Sequence, residues 1–157
     1  MTGRTFTFEV NRTSTAPPAT LFRLETDAPG WATWAKPVVF QSSWHATGHP
    51  EEAGIGAVRK VGMWPLLMLE QTVAYEQDRR HVYELISPRT PAVGYHGEAT
   101  FTPNAAGGTD LRWRGWFTEG VPGTGPVMRA ALRGAIVALS ARLVRAAERE
   151  TAHPASG

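Results

Sequence analysis

Cysteine is absent from the 157 residues. That absence excludes disulfides, thiolate metal sites and a cysteine nucleophile. Also missing are a run of 18 apolar residues and a basic segment leading into a short apolar one. Neither a membrane span nor a secretory signal is expected, and the sequence reads as a soluble, cytoplasmic protein with no integral membrane association. Excess charge is small, with a formal net charge of +2. Basic residues are not interleaved with exposed aromatics in any one segment, so nucleic acid is not an expected partner. Repeats, linkers and low-complexity tracts are lacking as well. The length suits one domain, residues 1–150, with a polar tail at 151–157 expected to fray.

Chemical signatures are equally sparse. Gly54-Ile55-Gly56-Ala57 lacks the third glycine and the following helix of a dinucleotide fingerprint. His45, His49, Glu51 and Glu52 fall on a polar turn that fixes no ligand geometry, so no metal and no cofactor are expected. The loop Gly120–Gly125 reads as a connection into a helix rather than an anion site. His96 and Glu98 share a strand face that the alternation points outward, as a solvated pair. No nucleophile–base–orienter set is legible, and nothing fixes an oligomeric state.

What is present is a long amphipathic stretch at the C-terminal end. Met128, Ala131, Leu132, Ala135, Ile136, Leu139, Leu143, Val144 and Ala147 recur at steps of three and four. The spacing predicts a helix over 126–150, about 37 Å long, with one broad apolar stripe. Arg129, Arg133, Arg142, Arg145 and Arg149 occupy its other face. Such a rod needs a large partner, and the upstream chain offers only β-type segments. Phe6, Phe8 and Val10 alternate with polar residues in a first strand. Two short helices follow: one capped by Ser14 or Thr15 and running past Leu21 and Phe22, the other spanning 31–36. Strands are then predicted over 38–45, 56–61, 66–77, 80–86, 93–102 and 109–119, separated by turn residues. Short turns between consecutive strands imply an antiparallel meander. The class is α+β: a curved antiparallel sheet of about seven strands around one long helix. Space tends to remain between such a sheet and a single helix.

This ordering resembles the helix-grip fold of the START and Bet v 1 superfamily, in its polyketide cyclase/dehydrase-like branch. The resemblance is carried by Trp31-x-x-Trp34 with Pro37, Gly56-x-Val58-Arg59, Glu70-x-x-Val73, Arg79-Arg80-x-x-Tyr83-x-Leu85, and Gly107-Gly108-Thr109-x-Leu111-x-Trp113-x-x-x-Phe117. It implies a hydrophobic cavity that takes lipids, sterols or polyketide-like molecules, in some members with catalysis of cyclisation or aromatisation. Strand alternation turns Tyr83, Tyr95, Trp113 and Phe117 inward. With Trp64, Met128, Leu132 and Ile136 they form the expected ligand-binding set, around a pocket of roughly 300–1,000 Å³. Glu70 is the one candidate catalytic group, as a carboxyl drawn inward with a raised pKa. Three functions follow: binding of a small hydrophobic molecule, polyketide cyclase-like catalysis, and a partner-binding domain with a vestigial cavity. A polar pair facing the cavity favours the enzyme.

Overall fold

A computed structural model describes residues 3–63, 66–87 and 91–152. The elements run β1 (Thr5–Ser14), α1 (Pro18–Thr26), α2 (Trp31–Trp34), β2 (Gln41–Ala46), β3 (Val58–Met63), β4 (Leu66–Glu76), β5 (Arg80–Leu85), β6 (Ala92–Pro103), β7 (Thr109–Glu119) and α3 (Gly125–Ala152). The strands form one seven-stranded sheet in the order β1-β7-β6-β5-β4-β3-β2, every neighbouring pair antiparallel. Alternation decides the faces. Phe6, Phe8 and Val10 are buried between exposed Thr5, Thr7 and Glu9. Leu111, Trp113 and Phe117 on β7, and Tyr95, Ala99 and Phe101 on β6, are buried in the same core.

Several boundaries differ from the sequence expectation for local reasons. β1 continues to Ser14 because its ladder with β7 runs to the pair Ser14–Thr109. Ser14 therefore ends a strand instead of capping a helix, and α1 starts behind Pro17 with no side-chain cap. Val39 N–H donates to the Ala35 carbonyl at 3.0 Å, which prolongs the turn after α2 and delays β2 to Gln41. Gly56 has φ +85°, left-handed backbone that keeps it out of β3. In β4, Thr72 faces inward, and a register shift between Thr72 and Ala74 reverses the alternation. Val73 is thrown outward and Tyr75 is brought onto the core, edge-on to Phe22 at 5.1 Å. Thr151 and Ala152 are helical; the rest of the expected tail, like Trp64, lies outside the described residues.

Two glycines make room for aromatic rings. A Cβ on Gly97 would lie 2.3 Å from Cζ of Tyr83, and one on Gly115 would lie 2.5 Å from Phe8 and 3.1 Å from Tyr95. These rings occupy space that a side chain on either glycine would fill.

The 28 residues of α3 make a rod of about 42 Å. Glu119 at the end of β7 holds the turn into it and its first N–H, its carboxylate accepting from Gly123 N at 3.2 Å and Gly125 N at 3.0 Å. The helix is seated unevenly. Ile136, Leu139, Leu143 and Ala147 are buried, whereas Met128 and Leu132 are only partly so, Ala131 is exposed and Val127 is 71% exposed. The expected stripe is thus tight in its second half and loose in its first. Among the described residues, no helix is long and apolar enough to cross a membrane.

Candidate functional site

Under the loosely seated half of α3 lies a largely enclosed cavity of about 210 Å³. The helix contributes Leu132, Ala135, Ile136 and Leu139 to its wall; the sheet contributes Val61, Met68, Glu70, Tyr83, Leu85 and Tyr95. Trp31 and the Val38-Val39 turn close the remaining side. Met68 is also 41% exposed, which marks where the cavity approaches the surface. Of the expected ligand set, Tyr83, Tyr95, Leu132 and Ile136 come together here. Met128 packs against the core outside this wall. Trp113 and Phe117 are core residues and do not line the cavity, Phe117 stacking on Phe6 at 5.7 Å and Trp113 meeting Trp31 edge-on at 6.3 Å. Their bulk is one reason the void falls below the expected size.

Glu70 supplies the single carboxylate of the wall, and its placement is a register consequence. It sits directly opposite Arg59 across β3 and β4, and Arg59 Nε donates to Glu70 Oε2 at 2.7 Å. Glu70 is thus in an ion pair with Arg59 at the edge of the cavity. The guanidinium lies between the rings of Trp31 and Tyr83, 4.2 and 4.8 Å from their centroids, a cation–π sandwich. Its Nη1 donates to the Glu25 backbone carbonyl at 2.9 Å. Its Nη2 stands 3.5 Å from Glu25 Oε1 and is buried without a hydrogen-bond partner.

Behind Arg59 the network continues away from the cavity. Glu25 on α1 is fully buried, and its carboxylate accepts from Nδ1 of His81 at 2.7 Å. Nε2 of His81 is 2.9 Å from the Thr72 hydroxyl. This carboxylate–imidazole–hydroxyl chain has the connectivity of a hydrolytic triad. None of its three residues reaches the cavity wall, and it joins α1 to β4 and β5 inside the core. Burial pushes the Glu25 carboxyl up, but His81 and Arg59 outweigh burial and hold it below the usual carboxylate value. Burial opposes the charge on Arg59, and Glu70 and Glu25 more than offset it.

That depression has a sign. A folded-state pKa below the unfolded one stabilises the fold above the unfolded value, and the contribution is lost as pH falls through the folded value. The urea midpoint should therefore fall below about pH 4.5, and Glu25→Gln should lower the midpoint at neutral pH while flattening the acid slope. An unchanged acid slope in Glu25→Gln contradicts the assignment.

The tyrosines complete the polar corner. Trp113 Nε1 donates to the Tyr83 hydroxyl at 3.1 Å, and Tyr95 stands beside Tyr83 on the same cavity wall. Burial raises the Tyr83 phenol well above its ordinary value, with Tyr95 and Glu70 adding to it. Burial, then the Glu70 charge, raises Tyr95. Both remain phenols at any working pH.

The other sequence candidates lie elsewhere. His96 stacks on Trp116 at 5.3 Å and pairs with Glu84 at 3.3 Å. Glu98 is held on the outer face by Arg80 at 2.6 Å and by Arg114. His45, His49, Glu51 and Glu52 form no metal-binding group, and no set of three such ligands gathers among the described residues. Sequence reasoning missed the Glu25–His81–Thr72 chain and the role of Arg59. A signal existed: Glu25 stands four residues after Leu21 and three after Phe22, on the inward stripe of α1.

A seven-stranded antiparallel sheet gripping a C-terminal helix, with a cavity between them, defines a helix-grip protein. The family model for polyketide cyclase/dehydrase and lipid transport matches residues 5–148, and the chain belongs to that family. Among solved structures, the ZhuI aromatase/cyclase from Streptomyces sp. R1128 superposes with a TM-score of 0.79 at 16% identity, covering 98% of this chain and 99% of that one. A Mesorhizobium loti protein gives 0.71 at 18% identity, covering 92% and 98%. Ara h 8.0201 gives 0.65 at 18% identity, covering 90% and 99%. At these identities the likeness is one of fold. No curated protein matches by sequence.

Proposed function

We propose that the chain binds one small, mainly apolar molecule in the cavity between the sheet and α3. The observation that carries this reading is the cavity itself: about 210 Å³, walled by aliphatic and aromatic side chains with one polar corner. An apolar cavity of about 150 Å³ in another protein stays dry and takes benzene. The space here suits a molecule of one ring, or a short chain of similar bulk. A sterol or an extended polyketide exceeds it unless α3 moves, so the family's larger ligands are not the ones this shape favours.

A second reading has a specific observation behind it. Glu70 and the Tyr83–Tyr95 pair face one cavity, an acceptor beside hydroxyl donors, which is the equipment for moving a proton within a bound molecule. It favours a cyclase-like or dehydratase-like enzyme acting on a small substrate.

Native mass spectrometry of freshly purified protein, followed by a thermal-shift panel of small apolar compounds, tests both readings. Binding at a hundred times the dissociation constant stabilises by about 2.7 kcal/mol, equivalent to roughly 5–10 °C for a domain of this size. A retained molecule recovered unchanged supports carriage, and one recovered converted supports catalysis. No mass adduct and no shift across the panel would sink both.

A further inference from the structure

The polar corner is incompletely satisfied, and what it lacks specifies its occupant. Oε2 of Glu70 is taken by Arg59, while Oε1 receives no hydrogen bond from any described residue. In the tyrosine pair, Trp113 N–H donates to the Tyr83 hydroxyl, and the Tyr95 hydroxyl belongs to the same wall. At least one of the two phenolic protons is left without an acceptor among the described residues. Tyr83 and Tyr95 are 2% and 5% exposed, so bulk water does not serve them, and an unmade bond in such a place is costly. The cavity therefore holds one unused acceptor and one unused donor in an otherwise apolar wall.

We propose that the occupant is a one-ring phenol or a comparably small alcohol, its hydroxyl donating to Glu70 Oε1 and accepting from the Tyr83–Tyr95 pair. This rests on the ligand-binding reading above and names the chemical class that fits it. A hydroxyl satisfies both groups at once. A hydrocarbon satisfies neither, an ether supplies no donor, and an ammonium has nothing to accept with. A carboxylate is turned away, because Glu70 is the charged member of the wall and Arg59 stands behind Trp31 and Tyr83, outside it. The size of the cavity confines the body to about one ring.

Calorimetric titration of the full chain with p-cresol, 4-methylanisole, p-xylene and 4-methylbenzoate separates these cases at nearly constant shape. p-Cresol should bind about tenfold tighter than p-xylene or 4-methylanisole, with 4-methylbenzoate weakest. Tyr95→Phe keeps the ring and removes one hydroxyl. It should erase most of the p-cresol advantage while leaving p-xylene affinity within about twofold, which also shows that the variant is folded. If p-xylene binds as well as p-cresol, or Tyr95→Phe weakens both equally, the hydroxyl assignment is overturned and the cavity still binds ligand. If none of the four binds, the assignment falls together with the reading beneath it.

Discussion

Arg59→Met should lower the stability of the fold by on the order of 3–5 kcal/mol, since removing one partner of a buried ion pair strands the other charge. Here Glu70 is stranded, and Glu25 is left to His81. Arg59 and Glu25 have side chains 4% and 0% exposed, and Glu70, at 11%, loses the one cation it pairs with among the described residues. The guanidinium also fills the slot between Trp31 and Tyr83, and a thioether keeps the volume without the cation–π contact. Urea denaturation of the variant beside Arg112→Met makes the comparison internal. Arg112 binds Glu9 across an exposed surface, with side chains 51% and 42% exposed, and its loss should scarcely move the midpoint. Equal losses from the two variants would contradict the buried network.

Leu143→Asp should prevent folding altogether. Leu143 is fully buried in α3, and an unpaired charge there costs several kcal/mol, comparable to the ~5–15 kcal/mol total stability of a domain. Arg145, exposed two residues further on, is the matching control, and Arg145→Asp should leave a cooperative transition close to wild type. Arg142 is a poorer control than the sequence suggests, because its Nε is buried. A folded, soluble Leu143→Asp protein would show that the second half of α3 does not hold the concave face.

The strands and the long helix were legible because each carries a clean period. Alternation in β1, β6 and β7 gave the inward faces of Phe8, Tyr95 and Trp113 correctly, and steps of three and four placed α3 within two residues at its C-terminal end. β4 is the exception: its bulge at Val73 reverses the parity midway, so no single alternation describes it. The site was less legible than the fold. Tyr83, Tyr95, Leu132 and Ile136 sit in the cavity wall, but inward direction does not distinguish lining from packing. Trp113 points inward too, and is consumed by contacts with Trp31 and Tyr83. The Arg59–Glu70 pair depends on the β3–β4 register, and the Glu25–His81 bond spans 56 positions of sequence. Neither leaves a local pattern in the sequence.

The central claim is that the space beneath the first half of α3 is a ligand site. A crystal structure of the protein grown with p-cresol tests it most directly. The account predicts density for one ring among Leu132, Ile136 and Leu85, with the hydroxyl within hydrogen-bond distance of Glu70 and Tyr95. A cavity collapsed around those side chains, or p-cresol bound only on the outer surface, would contradict it.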